Sequence, residues 1–156
     1  MKSSARVAMM LRALEEASVN LKREDIIIKG GLTVEHVMPQ SWGANWPLPE
    51  SVADKEEAAA ERDRLLHTLG NLTLITQELN SSVSNAAYAE RRPEITKQSA
   101  LRLNAYFQDV AVWDEAAIIQ RGEHLFELAL KVWPYPATTG AKVVSKAPTE
   151  AAAPVS

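Results

Sequence analysis

A carboxylate and an imidazole stand side by side at Glu35-His36, and the run continues Val37-Met38-Pro39-Gln40-Ser41-Trp42. A histidine with an ordinary pKa of about 6.5 is mostly neutral at cellular pH and can take a proton from water. A glutamate offers a hard oxygen ligand of the kind Mg²⁺ or Mn²⁺ prefers, and Asn80 can add an amide oxygen. Phosphodiester hydrolysis needs both parts: a base that makes the nucleophile, and a cation that offsets charge on the phosphate and the departing oxygen. The expectation is therefore His36 as general base, with Glu35 and Asn80 holding one divalent cation. Neighbouring residues on an ideal strand point to opposite faces, so the strand must twist, bulge or end where Glu35 and His36 meet.

The elements that would position these groups are legible from periodicity. Val7, Met10, Leu11, Leu14 and Ala17 recur at three and four, which predicts an amphipathic helix over 4–21. Ile26 to Ile28, the Gly30-Gly31 turn signal and the alternation of Leu32, Val34 and His36 predict a strand ending at His36, with a hairpin before it as an option. Pro39, Gly43, Pro47 and Pro49 predict a packed loop anchored by Trp42 and Trp46. Asp54 caps a helix running to about Leu69, where Gly70 supplies the stop, and Leu72 to Thr76 reads as a second short strand. Asn80, Ser81 or Ser82 caps a helix through Ala89 that Pro93 ends, Ser99 to Phe107 is helical, and Asp114 caps a long amphipathic helix up to Trp133. These elements make a single domain over 1–136, with a core over about 32–92 and C-terminal helices over about 99–133. The Ala, Pro and Thr mixture of 137–156 reads as a disordered tail.

Bulk properties bound the function class. The 156 residues suffice for one core, and 46% hydrophobic with 24% charged residues is ordinary for a soluble domain. No apolar run is long enough to span a membrane or serve as a secretory signal, so a cytoplasmic location is expected. With no cysteine, any metal must be held by oxygen and imidazole. The net charge of −3 argues against tight unaided binding of nucleic acid, although Arg91, Arg92, Lys97 and Arg102 cluster locally. That cluster reads either as a phosphate contact or as a solvated helix face.

Further polar residues carry two readings each. His67 ends a helix, where it serves as a cap or reaches a metal or phosphate. Asn71 after Gly70 is a turn residue or part of the site, Asn80 an N-cap or a ligand, and Asn85 a helix-interior residue or a phosphate contact. Gln40, Arg91 and Arg92 are candidates for phosphate or supporting contacts. His124 reads as a surface residue, and Trp42, Trp46, Trp113 and Trp133 as core anchors in preference to base-stacking platforms.

The run from Glu35 to Trp42 resembles the (Asp/Glu)-His-x-x-Pro-Gln-Ser-aromatic signature of HNH nucleases, including the HNH domain of RNA-guided CRISPR effectors. Asn71 in Asn-Leu-Thr-Leu-Ile matches their middle Asn, and Asn80 stands nine positions later, where they place a final His or Asn metal ligand. A closer resemblance, from the first helix to Trp133, is to the C-terminal domain of GmrSD-type modification-dependent restriction endonucleases. It is carried by Arg12-Ala13-Leu14-Glu15, Glu35 to Gln40, His67 to Leu74, Asn80 with Ser84-Asn85, and Trp113 through Arg121. The resemblance implies an α+β fold: a ββα-metal (His-Me finger) core of two short antiparallel strands and a helix, wrapped by additional helices. It implies that Asn71 braces the loop carrying the base, and that the domain binds Mg²⁺ or Mn²⁺ and no nucleotide. It further implies DNA, including modified phage DNA, as substrate. A nucleotide-hydrolysing specificity domain or subunit, absent from this chain, would be the partner. The competing expectation is a nuclease-like fold that binds nucleic acid or protein without cutting.

Overall fold

Two strands of four residues hold this fold's small sheet, and a pair that short does not persist in water without something packed on it. In the computed structural model, which describes residues 2–18, 31–76, 83–98 and 100–135, β1 (Thr33–His36) runs antiparallel to β2 (Leu72–Ile75), with Val34 opposite Leu74 and His36 opposite Leu72. All four β2 residues are buried, because α1 (Lys2–Ser18) and α4 (Arg102–Ala105) both pack against that strand. Leucines dominate this part of the core: Leu11 and Leu14 from α1 meet Leu72, Leu74, Leu103 and Leu125.

A second cluster forms under the loop that follows β1. Val37, Met38 and Trp46 pack with Leu66, Phe107, Trp113 and Ile118. Leu66 closes α2 (Lys55–Leu66), and Ile118 belongs to α5 (Glu115–Val132). Both helices begin as their sequences dictate. Asp54 accepts from the amides of Glu56 and Glu57, and Asp114 from that of Ala117. The shortest helix is capped from a distance: the buried carboxylate of Glu15 on α1 accepts from the amides of Arg102 and Leu103 at the start of α4. An α+β architecture of two antiparallel strands and several helices is thus confirmed, and no described helix is long and apolar enough to cross a membrane.

Several boundaries depart from the sequence reading. The helix expected to begin near Asn80 and stop before Pro93 is α3 (Tyr88–Thr96), with Ala87 at its N-cap and Pro93 inside it. Proline cannot donate to the carbonyl of Ala89 and its ring crowds that carbonyl, but Ala89 is exposed, so water can replace the lost donor. The helix over 99–107 contracts to α4 followed by a 3₁₀ turn over Tyr106–Asp109. On α5, Ile119, Phe126 and Leu130 are exposed, and so is Trp133 at its C-cap, which is therefore no core anchor. Residues 19–30, 77–82 and 136–156 lie outside the described set, and with them the Ile26–Ile28 strand, Asn80 and the tail.

Gly70 also has a different role. The second helix ends at Leu66, and Gly70 sits in a 3₁₀ turn over Leu69–Asn71 pressed against α5. A Cβ there would lie 2.2 Å from the carbonyl oxygen of Ile118. Backbone on both sides leaves no flexible atom to yield, so Gly70→Ala must push the turn and helix apart. The expected cost is about 3 kcal/mol or more, read as a lower urea midpoint. An unchanged midpoint would show that the turn relaxes freely.

Candidate active site

The pairing of the two strands carries one bond past β1: the amide of Val37 donates to the backbone carbonyl of Asn71 at 2.9 Å, in register with the opposed pair His36 and Leu72. The Asn71 side chain then holds the following residue from both sides. Its Oδ1 accepts from the Met38 amide at 2.8 Å, and its Nδ2 donates to the Met38 carbonyl at 2.9 Å. The remaining capacity goes to two further elements: Nδ2 also donates to Leu66 at the end of α2, and Oδ1 accepts from the indole N–H of Trp113. Asn71 is fully buried. Every polar atom of its amide is therefore spent, on the segment that leaves His36 and on these two neighbours.

Glu35 and His36 are the last two residues of β1, so the strand ends where the two meet. The Glu35 carboxylate reaches Arg91 on α3, with Nη2 to Oε1 at 2.7 Å. Arg91 has no exposed surface, and its other donors serve carbonyls: Nη2 to His36, Nε to Val37, and Nη1 to Val83 and Ser84. One guanidinium thus grips both the carboxylate and the main chain at the end of β1. Arg92 likewise donates to the carbonyls of Phe107 and Gln108, and Lys97 pairs with Glu94. Within the basic cluster seen in the sequence, Arg91 is thus spent inside the fold, whereas Arg92 is half-buried and Lys97 exposed.

The His36 ring is half-buried and meets the ring of His67 edge-on, at 5.5 Å between centroids and 88° between planes. Gln40 lies on another side, its Nε2 at 3.5 Å from the His36 Nε2, the outer limit of a hydrogen bond. Burial lowers the His36 pKa below its ordinary 6.5, and the nearby His67 and Arg91 push in the same direction. The neutral ring, the form that accepts a proton, is favoured.

Among the described residues, no group of three or more His, Cys, Asp or Glu side chains is placed to hold a metal ion. What the site presents is one carboxylate, Glu35, with 27% of its side chain exposed and one oxygen on Arg91. A cation of the Mg²⁺ type, which keeps several waters and needs few protein ligands, suits such a donor set better than a metal requiring a closed cage. Asn80, the other expected ligand, lies outside the described residues. Asn85 is exposed, and its carbonyl accepts from Asn45. His124 is exposed and stacks on Tyr106. Trp113 reads as a core anchor in the sequence, but its bond to Asn71 makes it part of the site's scaffold as well.

Removing the Arg91 guanidinium would strand several carbonyls and the Glu35 carboxylate together. Arg91→Met should cost about 3–5 kcal/mol in urea unfolding, the magnitude of breaking a buried ion pair from one side. Glu35→Gln, which keeps an acceptor for Arg91, should cost clearly less. Equal losses would show that the pair contributes nothing specific.

Comparison with known proteins agrees with the resemblance seen in the sequence. Searches of curated proteins and of solved structures returned no match. A family model described as GmrSD restriction endonucleases, C-terminal domain, matches residues 2–128, a span that takes in both strands, the Asn71 brace, Arg91 and most of α5. The chain belongs to the family of GmrSD restriction endonuclease C-terminal domains.

Proposed function

We propose that this domain is the DNA-cleaving module of a modification-dependent, anti-phage restriction system, an HNH-type (His-Me finger) endonuclease with His36 as general base. Family membership points to the restriction role. The observation that carries the catalytic reading is the setting of His36: a half-buried imidazole at a strand end, kept neutral by burial and by the adjacent His67 and Arg91, on a segment that Asn71 fixes from both sides. A base is effective when it is unprotonated and held in place, and the lowered pKa and the braced segment support that reading.

The His36 imidazole takes a proton from water, whose oxygen attacks phosphorus in line as the bond to the 3′ oxygen breaks, and the departing oxygen takes a proton from solvent. The products are 5′-phosphate and 3′-hydroxyl ends. Mg²⁺ or Mn²⁺, held by Glu35 and Asn80, would supply charge neutralisation at the phosphate and leaving oxygen. Asn71 acts as a positioning residue, since its amide touches only protein. The partner supplying DNA affinity and recognition of modified phage DNA is a nucleotide-hydrolysing specificity domain or subunit. Such a partner suits a cleavage domain with a net charge of −3, which grips phosphates weakly by itself and binds no nucleotide in this reading. Action on phage DNA would place the protein in the cytoplasm.

A second reading, a nuclease-like fold that binds nucleic acid or protein without cutting, is favoured by the pairing of Glu35 with Arg91 and the lack of clustered ligands among the described residues. Plasmid cleavage in Mg²⁺ or Mn²⁺, with and without EDTA, separates the two. His36→Ala should lose roughly 10²- to 10⁴-fold in rate while keeping its fold. Added imidazole should restore part of the His36→Ala activity and none of that lost in Asn71→Ala, where the base is present but misplaced. A His36→Ala protein cutting at the wild-type rate would overturn the nuclease reading.

The pH profile is a separate check. Because the folded His36 pKa lies below 6.5, the ring stays neutral at pH values where a free histidine is charged. The acidic limb of kcat/KM should therefore fall below pH 6.5, and a limb above it would exclude His36 as the titrating base.

A further inference from the structure

We propose that His67 is a second catalytic residue of this site, whose exposed imidazole donates a hydrogen bond to a non-bridging oxygen of the scissile phosphate. The inference rests on the reading of His36 as base. Both rings are fixed to the same frame. His36 ends β1 opposite Leu72, and His67 closes α2 immediately before the turn that carries Asn71. They meet edge-on at 5.5 Å, with His36 half-buried and His67 exposed.

Capping does not account for the His67 ring. The end of α2 is closed by the His67 backbone amide and by the Thr68 hydroxyl, both directed at the Leu65 carbonyl. Among the described residues the ring itself makes no hydrogen bond, while every polar atom of the Asn71 amide is spent. An imidazole carries at least one N–H in either protonation state, so donation to phosphate needs no particular charge.

Distance favours the scissile phosphate over a remote one. A hydrogen bond of about 2.8 Å from His36 to water, and an approach of about 3.3 Å from that water to phosphorus, place the phosphorus within about 6 Å of the His36 nitrogen. A ring 5.5 Å from His36 and open to solvent is a neighbour of a phosphate that approaches His36 from that side. The pair then divides the work: the half-buried ring accepts a proton, and the exposed ring holds an oxygen on which charge builds.

The test uses bis(p-nitrophenyl) phosphate with Mn²⁺, a diester with no flanking phosphates, so that a defect reports on the reacting phosphate alone. His67→Leu keeps an apolar side chain against His36 but has no N–H, and His67→Gln retains a donor. His67→Leu should lower kcat by on the order of 10², the scale of one lost oxyanion donor, and His67→Gln should recover most of it. Equal losses in the two variants would assign His67 a packing role and overturn the proposal. So would a His67→Leu protein at the wild-type rate beside an inactive His36→Ala, which leaves the nuclease reading intact. If His36→Ala and wild type hydrolyse the diester alike, or neither does, the nuclease reading itself fails and this inference with it.

Discussion

The carboxamide of Asn71 has two donors on nitrogen and an acceptor oxygen, and the fold uses both ends of it. Its partners come from three separate places: the backbone of Met38, the last carbonyl of α2 and the indole of Trp113 just before α5. In a fully buried position no water can replace any of them, so each bond is obligatory. A single side chain therefore fixes the exit of β1, the end of α2 and the entry to α5 relative to one another. His36 stands two residues before the backbone that this junction holds.

Buried arginines perform the same task at larger scale. With two four-residue strands among the described residues, much of the described backbone runs through turns whose carbonyls lack ladder partners. Arg62 reaches the carbonyl of Trp46 and the carboxylate of Glu115, and Arg91 reaches four carbonyls and Glu35. Arg121 is held by the carbonyls of Gly70 and Leu72 and lies over the ring of Phe107 at 4.8 Å. Burial lowers the Arg121 pKa to about 10, still well above neutrality, so the cation persists where carbonyl dipoles and an aromatic face replace its water. The five donors of a guanidinium suit this work, and a lysine could not reproduce it.

These interactions bring support and chemistry into one region. Arg121 and Gly70 seat the turn over Leu69–Asn71 against α5, and that turn delivers both the Asn71 brace and, at its leading edge, His67. Arg91 binds the main chain of His36 while it neutralises Glu35. The imidazoles stand at the edge of this rigid junction, one partly enclosed and one open to solvent. Preorganisation of this kind holds reacting groups in place without reordering at each turnover.

How much could be read beforehand follows from the range of each signal. Helical periodicity in α1, the caps Asp54 and Asp114, and the strand ending at His36 are local, set by residues a few positions apart, and the sequence by itself determined them. It also brought Glu35, His36 and Asn71 into view, because their spacing carries the family resemblance. The inward turn of Arg91 was not legible. Whether a guanidinium faces solvent or the core depends on which carbonyls are left unpaired in distant segments, and no local pattern encodes that. Pro93 inside α3 is tolerated because the Ala89 turn of that helix faces water, and Gly70 is required because α5 passes within contact of it. Both facts belong to packing between segments far apart in the chain, which only the tertiary structure decides.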